Sequence, residues 1–363
     1  MHPSAPQRGD PPQPGYLLGP ERVRLIEAQA RAWSAPALSD APLGVTRAEI
    51  FLTSACNLAC RYCKSRHRVV PSWEEPDVRA LLVELAGSGT RHVQWTGGEA
   101  TQHPALLSLV RHATALGMAS SLSTNGTAPP ALYRALFEAG LGRFYISLDL
   151  LDPAVLAHRR GEVDLLPRVQ AAVTALCAGP PGGRPHVTIN SVLDPASVRA
   201  LLAGEGAELR RLLAWCQDLG VDDFKFLPTA TAHRSVSFEA EADWRRFEAI
   251  CRAEVPARYP MFHHRLRTLG AGGHGLVGDR PHTCWFSLDD RAFDSQGAWP
   301  CIIRMREGCA PLWEHATPLE ARRGALASFL RTDRRRDPVC RSHCFDLYRD
   351  LSRAVALPPV PEG

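Results

Sequence analysis

The sequence predicts an α/β protein whose strands form a parallel sheet. Short stretches rich in valine, isoleucine and aromatic residues alternate with stretches whose apolar residues recur at helical spacing, and most helical stretches end at a glycine. Such alternation requires a parallel sheet with right-handed crossover connections. Periodicity alone fits a doubly wound sheet and a partial barrel equally well.

The predicted strands and helices follow one another from residue 47 onward. In the first helix of the series, Val78, Leu81, Leu82 and Leu85 recur at helical spacing. Strands are predicted at 47–54, 92–96, 118–123, 143–148, 186–192 and 223–227. Helices are predicted at 75–87, 104–116, 129–139, 163–177, 206–219 and 239–253. A further short helix, predicted at 21–33, precedes the first strand.

The chain divides into three predicted regions. Residues 1–46 form an N-terminal tail and short helix, because the first 20 residues carry six prolines. Residues 47–255 contain the alternating strands and helices, and residues 256–363 form a C-terminal extension. The glycine-rich stretch 270–278 is interpreted as a flexible link near this boundary. A phosphate-binding loop is the weaker interpretation, since no P-loop lysine or following helix supports it.

Composition excludes several classes of protein. The chain has 363 residues, 45% of them hydrophobic and 22% charged, which is ordinary for a soluble globular protein. A formal net charge of +4 is too small to indicate a nucleic-acid partner. No run of eighteen apolar residues predicts a membrane span, and the N-terminus lacks the apolar core of a secretion signal. Eleven cysteines without such a signal indicate reduced thiols and metal ligation, so we expect a cytoplasmic protein.

Three cysteines directly follow the first predicted strand. Cys56, Cys60 and Cys63 have the spacing C-x3-C-x2-C, which suits an iron–sulfur cluster because several irons lie within reach of one short loop. A structural zinc site needs four ligands, and His67 is the nearest candidate for the fourth. A [4Fe–4S] cluster held by only three cysteines leaves one iron without a protein ligand.

This loop, with Tyr62 before its last cysteine, resembles the signature of the radical S-adenosylmethionine (radical SAM) superfamily. The resemblance implies that the open iron binds the amino and carboxylate groups of S-adenosylmethionine. It also implies that the reduced cluster cleaves this cofactor to a 5′-deoxyadenosyl radical, which abstracts hydrogen from a substrate. The superfamily's fold favours a partial (β/α)6 barrel, a TIM-like barrel with the site at the carboxyl ends of its strands.

The resemblance also implies a set of residues that bind S-adenosylmethionine. Gly97, Gly98 and Glu99 follow a strand; the two glycines permit close approach to a ligand, and the carboxylate suits the ammonium group. Polar residues at the ends of the next strands are expected at the same rim. With Tyr62 and the Gly97–Glu99 segment, the predicted set is completed by Ser123, Asn125, Ser147, Asp149 and Asn190. Asp149 has an alternative role as a helix cap, and Asn190 as a core asparagine bonded to backbone.

Five further cysteines lie in the last 80 residues. They resemble the SPASM and shorter twitch extensions of radical SAM proteins, which hold auxiliary [4Fe–4S] clusters, although the C-x2-C-x5-C run of a full SPASM region is missing. One auxiliary cluster is therefore predicted, with a structural zinc ion as the alternative. Its predicted ligands are Cys284, Cys301, Cys340 and Cys344, and Cys309 is left as the spare. Cys177, Cys216 and Cys251 are interpreted as small buried apolar residues.

The resemblance predicts an enzyme, a radical SAM oxidoreductase or maturase. A ribosomally synthesised peptide is the first expected substrate; a sugar, aminoglycoside or nucleoside intermediate is the alternative, and a non-catalytic metal-binding protein is the second alternative. The expected electron donor is a reductant such as flavodoxin or ferredoxin. Residues 158–161 (His-Arg-Arg-Gly) are interpreted either as substrate-binding or as an exposed helix start. No catalytic residue is assigned, because Tyr145, His263 and His264 cannot be ranked from sequence.

Overall fold

The computed structural model describes residues 20–34, 42–149, 151, 165–179, 183–228, 241–270, 275–276, 280–355 and 357. The predicted tail (residues 1–19) and the segment 158–161 lie outside these described residues. Within them, no helix combines the length and the apolar composition that crossing a membrane would require.

The described strands form one mixed sheet. They are β1 (Arg47–Phe51), β2 (His92–Thr96), β3 (Ala119–Thr124), β4 (Leu141–Ser147), β5 (His186–Leu193), β6 (Asp223–Pro228), β7 (Asp290–Asp294) and β8 (Gly297–Trp299). Their order is β6-β5-β4-β3-β2-β1-β7-β8. The first six strands pair in parallel, β7 adds in parallel to β1, and β7 and β8 form an antiparallel hairpin.

Helices connect the strands and continue into the C-terminal region. They are α1 (Pro20–Ser34), α2 (Glu75–Gly87), α3 (Leu106–Ala115), α4 (Pro130–Glu138), α5 (Leu165–Cys177), α6 (Pro195–Ala203), α7 (Ala207–Asp218), α8 (Glu241–Glu254), α9 (Pro260–Gly270), α10 (Ile302–Arg306), α11 (Leu319–Arg331), α12 (Pro338–His343) and α13 (Asp346–Ala354). Short 3-10 turns lie at Lys64–His67, Ala100–Gln102, Trp285–Leu288 and Arg334–Arg336.

The six parallel strands curl toward each other without closing. Arg47 on β1 and Lys225 on β6 are five strands apart in the sheet order, yet their charges interact. A flat sheet would hold them too far apart for this, because neighbouring strands are spaced about 4.8 Å. The predicted α/β class and partial barrel are confirmed.

Alternate residues on the strands face opposite sides of the sheet. Ile50, Trp95 and Phe144 are fully buried on the outer face, in the same apolar core as the helices. On the other face, which we call the barrel interior, lie polar residues such as Gln94 and Tyr145, adjacent to each other through Ser121 and Ser123 on β3. The core therefore lies between sheet and helices, and the interior is left for polar chemistry.

The structure also contains elements that the sequence reading missed. Helix α6 lies between β5 and α7, and α9 packs against β6 through Phe262, which stacks on Phe224 at 5.5 Å. The predicted strand 47–54 ends earlier, at Phe51. The β7–β8 hairpin joins the sheet of the barrel, so the C-terminal region shares its sheet with the parallel strands.

Candidate functional site

The loop that carries the first three cysteines packs directly on the end of β2. The backbone N–H of Gly98 donates to the carbonyl of Thr53 (2.7 Å), and the N–H of Glu99 donates to the carbonyl of Ala55 (2.8 Å). A Cβ at Gly97 would lie 2.7 Å from the Thr53 oxygen, and one at Gly98 would lie 2.5 Å from the Ala55 oxygen. These two glycines therefore give close approach to the cysteine loop itself, whereas the sequence suggested close approach to a ligand.

The three thiols lie where the parallel strands end. Cys56 is exposed, and Cys60 and Cys63 are half-buried. The loop is held in a tight turn, because the N–H of Cys63 donates to the carbonyl of Cys60 (3.1 Å), and the Cys56 Sγ accepts from the N–H of Leu58 (3.4 Å). Partial burial raises the pKa of the Cys56 thiol, and the charges of Glu99 and Cys63 add to this.

Asn125 fastens the cysteine loop to the end of β3. Its Nδ2 donates to Oδ1 of Asn57 (2.9 Å), and Asn57 Nδ2 donates to Oγ1 of Thr127 (2.9 Å). The Asn125 Oδ1 in turn accepts from the N–H of Thr127 (3.0 Å). Asn125 therefore positions the loop, a role that its place after a strand did not reveal.

Glu99 is a buried carboxylate whose two oxygens are used unequally. Its side chain accepts at Oε1 from the N–H and hydroxyl of Thr101 (3.1 and 2.7 Å) and from the hydroxyl of Thr124 (2.7 Å). Oε2 accepts from the N–H of Asn125 (2.7 Å). Burial raises the pKa of Glu99, and these hydrogen bonds oppose the rise. The arrangement holds the carboxylate rigidly, and Oε2 retains more capacity to accept a further donor than Oε1.

Tyr62 and Asp149 are brought together, although 87 residues separate them. The Tyr62 hydroxyl donates to Oδ2 of Asp149 (2.8 Å), and Oδ1 of Asp149 accepts from the N–H of Val192 (2.9 Å). The aromatic residue of the cysteine loop is thereby anchored to the ends of β4 and β5. The alternative role of Asp149 as a helix cap concerns residues 152–164, which lie outside the described part of the chain.

The side chain of Asn190 offers a buried hydrogen-bond acceptor. It is 8% exposed, and its Oδ1 has no hydrogen-bond partner. Ser147 lies opposite Asn190 in the strand register, whereas Ser123, nearer β2, accepts from Nε2 of Gln94 (2.9 Å). A buried acceptor without a donor is costly, so this oxygen fits a ligand that carries a hydroxyl or amino group.

The second set of cysteines meets in the C-terminal region. Cys284, Cys301, Cys340 and Cys344 line one pocket of about 320 Å³, which includes solvent at its mouth. Cys309 is not among its lining residues. Burial raises the pKa of each of these four thiols, and the neighbouring thiols raise it further at Cys301, Cys340 and Cys344. Among the described residues, no three or more His, Cys, Asp or Glu side chains lie close enough to hold a single metal ion.

Two charged residues position Cys340 in this pocket. The Asp337 Oδ1 caps α12 by accepting from the N–H groups of Val339 and Cys340 (both 3.0 Å). Arg304 forms an ion pair with Asp337, and its Nη1 lies 3.9 Å from the Cys340 Sγ. A cation next to this thiol stabilises negative charge, which metal-bound thiolates carry.

The cysteine loop and the C-terminal region are joined by a buried ion pair. Arg68 pairs with the fully buried Asp294, donates to the carbonyl of Met305 (3.0 Å) and lies 4.5 Å from the ring centroid of Trp299. A half-buried pair, Lys64 with Glu307 (3.3 Å), lies beside it. These contacts hold the two groups of cysteines in a fixed relation.

The barrel interior contains charged residues that the sequence reading did not select. Arg143, Tyr145 and Lys225 lie at alternate positions of β4 and β6, on the face opposite to Phe144 and Phe224. Of these three residues, the sequence points only to Tyr145, as a candidate catalytic residue that cannot be ranked. Arg143 and Lys225 could have been found from the sequence, because each alternates with a buried aromatic residue of its strand.

Part of the chain matches a known family model and several curated proteins. Residues 50–202 match the family model described as Radical SAM superfamily. A GTP 3′,8-cyclase from Mycolicibacterium smegmatis is 33% identical over 196 residues, which cover 50% of this chain and 53% of that protein. The PqqA peptide cyclase from Xanthomonas campestris is 36% identical over 147 residues, covering 39% of this chain and 38% of that one. The chain thus spans about half the length, or less, of these curated relatives.

Solved structures support the architecture over a longer stretch. The Streptococcus suis SuiB structure bound to its precursor peptide SuiA has a TM-score of 0.54 at 15% identity and covers 82% of this chain and 66% of that one. At such low identity the likeness concerns the fold alone.

Proposed function

Because the chain carries a radical SAM domain over residues 50–202, we propose that it is an enzyme that cleaves S-adenosylmethionine reductively and abstracts hydrogen from a substrate. The observation that carries the proposal is the contact of the three-cysteine loop with Gly98 and Glu99, where β2 ends. When bound, a [4Fe–4S] cluster and S-adenosylmethionine supply the radical chemistry, and the protein supplies placement and exclusion of water.

The residues at this rim fit the two cofactors. Cys56, Cys60 and Cys63 would hold the cluster; Cys56 is exposed, and Cys60 and Cys63 are half-buried. Glu99, fixed by three hydrogen bonds at Oε1, would direct Oε2 to the ammonium group of the nucleotide. The unpartnered Oδ1 of Asn190 would accept from a ribose hydroxyl.

The four C-terminal cysteines would hold one auxiliary [4Fe–4S] cluster. Four thiols lining one buried pocket offer a complete ligand set, which leaves no iron open for an exchangeable ligand. Arg304, close to Cys340 and paired with Asp337, would offset part of the negative charge of that cluster. The buried link through Arg68 would keep it at a fixed distance from the first cluster.

A peptide is the first proposed substrate. The fold is shared with SuiB, a protein solved with a precursor peptide, and a relative is named a peptide cyclase. A small polar substrate is the second candidate. It is favoured by the polar interior and by relatives named GTP 3′,8-cyclase. A reductant such as flavodoxin or ferredoxin would supply the electron to either reaction.

Anaerobic reconstitution with iron and sulfide, followed by dithionite and S-adenosylmethionine, tests this proposal. We expect release of 5′-deoxyadenosine, detected by chromatography, from protein that contains about eight irons per chain. Protein with its full complement of iron that releases no 5′-deoxyadenosine would contradict the proposed activity.

A further inference from the structure

Two cations in the barrel interior have no carboxylate partner. Arg47, on β1, forms ion pairs with Glu49 (2.9 Å) and Asp290 (3.2 Å). Arg143 and Lys225 face the same interior, and within the described part of the chain neither forms an ion pair within 4.0 Å. Both residues are half-buried. A cation that is partly withdrawn from water without a counter-ion suits an anion brought by a ligand.

Tyr145 lies between these two cations. The Lys225 Nζ is 4.6 Å from the centroid of the Tyr145 ring, and the charge of Arg143, two residues earlier on the same strand, lowers the pKa of Tyr145. Arg143 and Tyr145 project from β4 and Lys225 projects from β6, the two strands that flank β5. In the register, Tyr145 is opposite Thr188 on β5 and Thr188 is opposite Asp223 on β6. Rigid strands hold the three groups ready for a ligand at little entropic cost.

The titration of neighbouring groups indicates a positive potential in this part of the interior. Burial first, and then the charges of Arg47 and Arg143, lower the pKa of His92 to about 3. Burial and Arg143 lower the pKa of His186 to about 4. Burial alone would raise the pKa of Tyr145, but the charges of Arg143 and Lys225 outweigh it, and the net pKa is lowered.

The carboxyl of Asp223 interacts with the charges of both Lys225 and Arg143, but it lies too far from either to form an ion pair. Burial raises the pKa of Asp223 to about 6, which shows that Lys225 only partly compensates the desolvation of that carboxyl. The Asp223 Oδ1 accepts from the N–H of Phe224 (2.8 Å), so its side chain is directed along its own strand.

We propose that Arg143, Tyr145 and Lys225 form an anion-binding subsite that holds a carboxylate or phosphate group of the substrate. That the bound anion belongs to a substrate rests on the proposed function, whereas the anion site itself rests on the geometry alone. Lys225 is opposite Asn190 in the strand register, so the bound anion lies next to the proposed nucleotide site. The subsite therefore selects substrates that carry an anionic group near the reacting carbon.

Calorimetric titration of the reconstituted protein, with S-adenosylmethionine present, tests the subsite. Two probes are used, inorganic pyrophosphate for the phosphate source and glutarate for the carboxylate source. One of them binds the wild type, and its identity distinguishes a nucleotide-like substrate from an acidic peptide. Each charged hydrogen bond contributes roughly 1.5–3 kcal/mol, so Lys225→Gln and Arg143→Gln weaken binding of that probe by about tenfold or more.

Three controls make the result decisive. Arg134→Gln removes an exposed arginine of α4 and leaves the dissociation constant unchanged. Lys225→Arg keeps the charge and retains binding, which separates the subsite from a general loss of structure. Near-ultraviolet circular dichroism verifies that each variant is folded, and Arg143→Gln supplies the test if Lys225→Gln does not fold.

Two outcomes overturn the subsite: neither probe binds the wild type, or both glutamine variants bind as the wild type does. Failure of the proposed function is distinguishable from these. A wild type that binds the anion but releases no 5′-deoxyadenosine contradicts the enzyme and leaves the subsite standing, and the reverse result contradicts the subsite alone.

Discussion

The two groups of cysteines differ in how the fold surrounds them. Cys56, Cys60 and Cys63 come from one loop at the end of the sheet, and at least one of their thiols is exposed. Cys284, Cys301, Cys340 and Cys344 come from separate segments and meet in one pocket, where three are buried and Cys344 is half-buried. An open set of three suits a cluster that exchanges a ligand, whereas a closed set of four suits a cluster that does not.

The contacts that hold the two groups of cysteines in place differ as well. The first loop is held by backbone contacts to Gly98 and Glu99 and by hydrogen bonds from Asn125, all at the rim of the sheet. The second pocket is lined largely by residues of helices, and Asp337 and Arg304 fix Cys340 within it. The contrast teaches that the number of thiols and their exposure point to the same assignment, with the three-cysteine loop as the proposed reactive centre.

The largest expected effect comes from the exposed group. Cys60→Ala would remove one of the three proposed ligands of the first cluster, so we expect iron to fall from about eight to about four per chain and 5′-deoxyadenosine formation to cease. Iron assay and chromatography measure both. The control Cys177→Ala, at the end of α5, keeps all iron; if Cys60→Ala did so too, the first ligand set would be wrong.

The closed group is tested by a matched pair of cysteines. Cys340→Ala opens the second cluster to solvent and loses about half of the iron, whereas Cys309→Ala, whose side chain does not line the pocket, loses none. Iron content and absorbance near 400 nm, roughly where iron–sulfur charge transfer lies, follow the difference. Equal loss in both variants would show that Cys309 is a ligand.

The connection between the two groups is expected to contribute strongly to stability. Arg68→Gln leaves the fully buried Asp294 without its counter-ion, which should lower the free energy of unfolding by about 3–5 kcal/mol. Chemical denaturation under reducing conditions measures it. The exposed pair of Arg79 with Glu75 gives the control, since Arg79→Gln should cost less than about 1 kcal/mol. Similar costs in the two variants would refute the buried link.

The smallest effect concerns pH. Burial raises the pKa of Glu99 above its unfolded value, so the folded protein binds this proton more tightly than the unfolded chain does. Stability is therefore lost as pH rises through the raised pKa, with a slope of at most about 1.4 kcal/mol per pH unit. Glu99→Gln should flatten this part of the curve of stability against pH, which denaturation at several pH values measures. An unchanged slope would contradict the raised pKa of the buried Glu99 carboxyl.

Sequence patterns predicted what lies within one segment of chain. Cys56, Cys60 and Cys63 lie in a single loop, and the alternation of strands and helices is also local. The fold class and the position of the first candidate site could therefore be predicted. Helix α6 was missed although Asp194 and Pro195 form a helix-start signal, since the Asp194 side chain accepts from the N–H of Ser197 (2.8 Å).

Contacts between distant segments could not be predicted from sequence. The hydrogen bond from Tyr62 to Asp149 and the ion pair of Arg68 with Asp294 join residues 87 and 226 positions apart. The unpaired state of Lys225 likewise depends on which strands lie across the interior. The order of residues along the chain does not reveal these contacts, because the curvature of the sheet creates them.

One measurement tests the central claim most directly: electron–nuclear double resonance on the reduced wild-type protein with S-adenosylmethionine labelled with ¹⁵N in its amino group. An iron left open by three thiolates predicts a resolved hyperfine coupling between that nitrogen and the cluster. A reduced cluster with a full iron content that shows no such coupling would contradict the account.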